Sequence, residues 1–166
     1  GIVDQHMRKL HLADGFSAHV CVLRPASRGS VTLVSTNPSV APAIDMGFLS
    51  DPRDLQSLLA GARLTETMLQ SPELAPWRGQ RLYPHDGSDA GLQEAIRAHA
   101  DTIYHPVGTC RMGSDRDAVT SPDLRVRGVQ NLRVVDASVM PRLIGGNTNA
   151  PTIMLAERAA DLISHG

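Results

Sequence analysis

The chain is poor in aromatic residues, with one Trp, two Tyr and two Phe among 166 positions. A cation cage needs several rings converging on one point, so a full cage is not expected from this chain. Cysteine is also scarce. Cys21 and Cys110 are too few for a disulfide framework or a zinc site, which makes a reducing, cytoplasmic setting the default. No apolar run approaches the roughly 20 residues of a membrane-spanning helix, and no signal-peptide pattern opens the chain. Neither sign of charge dominates: 16 Lys and Arg face 17 Asp and Glu, for a net charge of -1. Binding a phosphate backbone calls for a basic excess, so no nucleic-acid partner is expected. The 14 glycines never fall as G-x-G-x-x-G or G-x-x-x-x-G-K-[ST], so the chain carries no recognisable nucleotide cradle of its own. Gly1-Ile2-Val3 stands where an initiator Met would, and the chain is expected to be a piece of a longer one.

What is present is ordinary globular material, 42% hydrophobic and 20% charged. The length arithmetic gives about one domain, and no internal repeat, low-complexity tract or linker divides it. His19 to Pro25 and Ser30 to Ser35 are short β-branched runs on either side of a Pro25-to-Gly29 turn, which predicts an antiparallel pair. Pro42 to Asp45 predicts a short edge segment. Ser50-Asp51-Pro52 reads as a helix start, followed by Leu55, Leu58, Leu59, Ala62, Met68 and Leu69 at helical spacing. A short helix is expected from Ser71-Pro72 to about Trp77, whose indole is expected to pack. Ser88 caps a helix carrying Leu92, Ala95, Ile96 and His99. Leu124 to Val126 and Leu132 to Val135 predict two strands around a turn. A last helix begins after Asn149, holds Pro151 in its first turn and runs to about Ser164. The predicted fold class is α+β, a mixed, largely antiparallel sheet with helices packed on one face.

Two patches could carry chemistry. In Tyr104-His105-Pro106-Val107-Gly108-Thr109-Cys110-Arg111-Met112-Gly113, a histidine stands on a loop stiffened by Pro106 and opened by Gly108. Free imidazole titrates near neutrality, which suits proton transfer. The plainer reading is a surface loop with an incidental histidine. In Gly145-Gly146-Asn147-Thr148-Asn149-Ala150-Pro151, Asn149 stands where a helix cap belongs, while Asn147 is free to face a ligand. The amides of the helix start could do the same. Between the patches, Asp136 closes the apolar run Val134-Val135, a place as usual for a turn as for a ligand. His6, His11 and His85 show no paired metal spacing, so no metal site is expected. Cys110 has no nucleophile-elbow context, and nothing around it demonstrates the electropositive site a reactive thiol needs.

In this order the patches resemble the C-terminal part of the glucose–methanol–choline (GMC) oxidoreductase family. The carrying residues are His105 to Gly113, Leu124-Arg125-Val126-Arg127-Gly128-Val129, Leu132 to Pro141, Gly146 to Met154 and Ala159 to Ile163. Upstream, Leu23 to Gly29 and Phe48 to Asp54 also match, so the resemblance covers nearly the whole chain. It is nearest to the bacterial choline dehydrogenase and aliphatic alcohol dehydrogenase group. The resemblance implies that residues 1–166 are the substrate-binding portion of an FAD-dependent enzyme that oxidises a primary alcohol to an aldehyde. It makes His105 the base or hydrogen-bond partner of the substrate hydroxyl and Asn147 its second catalytic group. It assigns flavin contacts to Asp136 and Ala137, and to Asn149 and Pro151. Implied partners are the alcohol, an electron acceptor such as a quinone, and an N-terminal FAD domain of the same chain. Because that domain holds most of the flavin, this chain alone is expected to bind flavin poorly and to be inactive.

Two other readings remain at this point: a flavin-containing hydroxynitrile lyase of the same family, and a non-catalytic module that kept the fold. Retention of both His105 and Asn147 argues against the module. The carboxylate and aromatics that recognise choline are not identifiable here, so a medium-chain aliphatic or aromatic alcohol stands beside choline as substrate. Location is expected to be cytoplasmic, with peripheral attachment to the inner membrane left open.

Overall fold

The computed structural model describes Ile2–Asp4, Lys9–His11 and residues 14–165. His6 lies outside the described residues. The chain forms two compact units interleaved in sequence, one of residues 1–22 and 48–103 and another of 23–47 and 104–166, where the length alone suggests about one domain. No helix among the described residues is long and apolar enough to cross a membrane.

In the first unit, β1 (Ile2–Asp4) pairs antiparallel with β2 (Lys9–His11), Val3 opposite Leu10. Helix α1 (Pro52–Leu69) begins as its sequence dictates. Asp51 is extended, its carboxylate accepts from the Arg53 amide at 2.9 Å, and Pro52 follows where a missing N–H costs nothing. Ser71, held extended before Pro72, stops the helix. A 3₁₀ segment over Pro72–Trp77 follows, but Trp77 is 75% exposed rather than packed. That segment has no buried residue against which the indole could sit. Helix α2 (Asp89–His99) is capped by Ser88, whose hydroxyl accepts from the Gly91 amide at 3.0 Å. It is joined to α1 by Arg63, which pairs with Asp89 and donates to the Gly87 carbonyl at 2.9 Å. Glu66 on α1 accepts from Arg81 at 2.8 Å and lies 2.6 Å from the His85 ring. Burial pushes the Glu66 carboxyl up, but the hydrogen bonds from His85 and Arg81 outweigh it and leave the group below its ordinary value.

In the second unit, β3 (Ser30–Thr32) pairs antiparallel with β4 (Ala43–Asp45), Val31 opposite Ile44. This corrects the pairing expected between His19–Pro25 and Ser30–Ser35. The Arg28 guanidinium donates to the carbonyls of Pro25, Ala26 and Ser27 at 2.7, 3.2 and 2.9 Å. It gathers that segment into a coil around itself, and no strand precedes it to pair with Ser30. The expected strands at 124–126 and 132–135 are reduced to a single rung, Arg125 opposite Arg133. The antiparallel turn survives through Val126 N–H to Leu132 O at 2.9 Å and Val134 N–H to Leu124 O at 3.1 Å.

The molecule therefore mixes helices with small antiparallel sheets. Among the described residues there are two separate strand pairs, not one sheet with helices on a face. Strands of three residues make a small face, and in β3 and β4 even the paired Val31 and Ile44 stay exposed rather than covered by a helix.

The core of the second unit lies elsewhere. Val139 is fully buried, with Leu124 and Ala159 almost so, and Met112, Val134, Val135 and Leu155 pack around them. Leu155 and Ala159 are one turn apart on α3 (Asn149–Ser164). Fully burying a side chain such as Leu124 or Val139 is worth about 1.5–3 kcal/mol. This core brings together four stretches that are distant in sequence: 105–113, the stretch around Leu124, 134–140 and α3.

Candidate functional site

His105 is the first residue of the loop that the core clamps. Tyr104, immediately before it, takes a left-handed backbone with φ +64°, a conformation costly for a residue with a Cβ and held only where the surroundings demand it. Gly108, at φ +91°, closes the loop's turn, and its carbonyl accepts from Arg111 N–H at 3.2 Å. The loop is then laid along the 136–140 stretch: Cys110 N–H donates to Ser138 O at 3.0 Å and Met112 N–H to Val139 O at 2.8 Å. The fully buried Thr120 supports it from behind, its hydroxyl donating to Cys110 O at 3.2 Å.

Arg111 pairs with Asp115 at 2.7 Å, and Arg127 donates to the carbonyls of Gly113 and Asp115, each at 2.7 Å. The Arg111 guanidinium holds the Asp115 carboxyl well below the usual carboxylate range. Cys110 is half-buried and unbridged.

Asp136 is extended, and its carboxylate accepts from Ser138 N–H at 2.8 Å and from the Ser138 hydroxyl. That caps the 3₁₀ turn Ala137–Val139. Its side chain is engaged with the turn although the residue is exposed. Asp136 and Ala137 are tied to the histidine loop through the Cys110–Ser138 bond, not through His105 itself.

At the start of α3, the expectation that Asn149 caps the helix is corrected. The N-cap is Thr148 and Asn149 is the first helical residue. Thr148 already has helical angles, φ −82° and ψ −8°, so the helix starts one residue earlier than its Asn-Ala-Pro signal suggests. Asn147 and Asn149 are both exposed, and neither side chain has a hydrogen-bond partner among the described residues. Pro151 lies in the first turn, where it has no amide to waste. The Asn149 and Ala150 amides have no carbonyl of their own helix to bond, as at any helix start.

The two patches meet at one contact. His105 Nδ1 lies 3.0 Å from Thr148 Oγ1, across 43 residues of sequence. His105 thereby sits against the residue that Asn147 and Asn149 flank, with its Nε2 edge left for something else. The half-buried ring, two unpartnered amide side chains and two open backbone amides form a set of donors and acceptors able to engage polar oxygen and nitrogen atoms of a ligand. Sequence reasoning passed over Thr148. A threonine between two asparagines has no local mark of a role.

Residues 25–156 match the family model described as GMC oxidoreductase. The chain is 48% identical to an alcohol dehydrogenase [acceptor] of Pseudomonas putida, over 95% of its own length and 29% of that relative's. It is 46% identical to an oxygen-dependent choline dehydrogenase of Pseudomonas syringae pv. tomato, over 90% of its length and 27% of that relative's. Among solved structures it is similar to pyridoxine 4-oxidase from Mesorbium loti, with a TM-score of 0.80 and 36% identity over 87% of this chain and 28% of that one. The chain thus spans under a third of the length of the relatives it matches.

Proposed function

The chain belongs to the GMC oxidoreductase family, and on that footing we propose that it is the substrate-facing portion of an FAD-dependent alcohol dehydrogenase. The complete protein oxidises a primary alcohol to an aldehyde and passes the electrons to an acceptor such as a quinone. Its partner in that protein is an N-terminal FAD domain of the same polypeptide, consistent with the chain spanning 29% of the alcohol dehydrogenase it matches. Oxidoreductases of this family are FAD-dependent, and the bound flavin supplies the hydride acceptor. Asn149, Pro151 and the open amides of the α3 start would hold its edge, with the backbone at Asp136 and Ala137 beside it.

This chain's own residues handle the hydroxyl. His105, as neutral imidazole, takes the hydroxyl proton through Nε2, which raises the electron density on oxygen and loosens the carbinol C–H bond. Asn147 cannot accept a proton in this range, so it orients the alcohol and donates its amide N–H to the oxygen as negative charge develops there. The observation that supports the reading best is the His105–Thr148 contact at 3.0 Å. It draws the only histidine of the loop to the Asn147–Asn149 stretch.

In the full-length, flavin-loaded protein, His105→Ala should lower the rate of anaerobic flavin reduction by an alcohol by roughly 10²–10⁴-fold, the usual worth of a positioned base. Bound flavin should be retained. Reduction at the unmodified rate would remove His105 from the chemistry. A flavin that stays oxidised in the unmodified protein, with every primary alcohol tried, would turn the reading towards the lyase chemistry of the same family.

A further inference from the structure

The N-cap residue of α3 is spent on something other than its helix. At α1 and α2 the N-cap residues, Asp51 and Ser88, are extended and their side chains accept from amides of the first turn. Thr148 makes no such bond. Its helical ψ turns the hydroxyl away from the amides that an extended N-cap would reach, and the oxygen stands 3.0 Å from His105 Nδ1 instead. The ring is half-buried, and the residue that leads into it, Tyr104, holds a left-handed backbone. One ring nitrogen is thus held and the other is left.

We infer that Thr148 is a positioning residue for the alcohol oxidation, its hydroxyl oxygen accepting Nδ1–H of His105 and thereby keeping Nε2 bare to receive the substrate proton. The bond selects the tautomer. A neutral imidazole with its proton on Nδ1 donates to Oγ1, and its Nε2 lone pair is available. The other tautomer would carry a proton at Nε2 and could take none from the alcohol there. The same bond persists after the transfer, because imidazolium is protonated on both nitrogens, so nothing at Nδ1 rearranges during the step. The histidine orientation is thereby tied to the start of α3, the element that also carries Asn149 and follows directly on Asn147. The inference rests on His105 being the base.

The test uses the full-length flavoprotein with Thr148→Val, which keeps the branched shape and deletes the hydroxyl, and Thr148→Ser, which keeps the hydroxyl. Thr148→Val should lower the flavin-reduction rate about 10-fold, the worth of one hydrogen bond placed on the reacting group. Thr148→Ser should recover most of that loss. Both should keep their flavin and melt with the unmodified protein, because no helix cap is removed. In the His105→Ala background, Thr148→Val should change the rate no further. With ¹⁵N-labelled histidine, the signal that disappears in His105→Ala should report a proton on Nδ1 in the unmodified protein and a mixture of tautomers in Thr148→Val.

An unmodified rate in Thr148→Val overturns the inference. So does an equal loss in Thr148→Ser, an undiminished effect in the His105→Ala background, or a proton found on Nε2. An unmodified rate in His105→Ala alone overturns instead the reading on which the inference rests.

Discussion

Replacing Gly108 with alanine should injure catalysis far more than it injures the fold. Gly108 sits at φ +91°, and a Cβ there would lie 3.4 Å from Met140 O, an ordinary contact distance. The penalty is therefore conformational. A left-handed backbone costs an L-residue about 1–2 kcal/mol, offset in part by about 0.4–1 kcal/mol from the stiffer unfolded chain. About 1 kcal/mol of net destabilisation remains.

The alanine relieves its strain by moving φ roughly 30° towards the region L-residues accept. Downstream the backbone is pinned by Cys110 N–H to Ser138 O at 3.0 Å and Met112 N–H to Val139 O at 2.8 Å. The displacement is therefore passed upstream, to Val107, Pro106 and His105. Misplacing a proton-transfer group by a fraction of an ångström is expected to cost roughly 10-fold, since a full ångström can cost about 100-fold.

Gly128 supplies the control. It has φ +78° and nothing within 4 Å of its would-be Cβ, and it lies in the turn between Val126 and Leu132. Gly128→Ala should melt like Gly108→Ala, a few degrees or less below the unmodified protein, yet reduce its flavin at the unmodified rate. Stopped-flow flavin reduction and thermal melts on both full-length variants decide it. Equal kinetic damage in the two, or none in Gly108→Ala, refutes the claim that this loop's geometry carries the orientation of His105.

Asn147→Ala should slow flavin reduction with little change in melting, because its amide is exposed and unpartnered until an oxygen develops charge beside it. Asn149→Ala should leave α3 as stable as before, since the helix is not capped there; a loss on the order of 1 kcal/mol in its melt would restore Asn149 as the cap. The Arg111–Asp115 pair should give a pH- and salt-dependent brace. The folded Asp115 carboxyl lies below its unfolded value, so its contribution is complete above about pH 4 and fades as pH falls below that. The melting gap between Asp115→Asn and the unmodified protein should accordingly be small at pH 7, begin to narrow only below about pH 4, and shrink in 1 M salt. A gap that widens on acidification contradicts the assignment.

Where structure is decided within four or five residues, the sequence was sufficient. Asp51-Pro52 and Ser88 start α1 and α2 where they stand because a capping oxygen and the amides it serves are neighbours in the chain. The ordered patches from His105 to Ile163 were likewise enough to identify the family. Tertiary structure alone decided what lies across long loops. Ser30 could pair with a nearby β-branched run or with Ala43–Asp45, and the Arg28 guanidinium, by gathering three carbonyls, settled it for the latter. The first residue of α3 carried a misleading local signal: Asn149-Ala150-Pro151 reads as a capped start, yet the ψ of Thr148 begins the helix earlier and turns its hydroxyl elsewhere. The pairing of His105 with Thr148 spans 43 residues. Neither residue announces the other, because their meeting depends on Val139, Leu124 and Ala159 burying one another. Such packing follows from how the whole unit closes rather than from any short stretch of sequence.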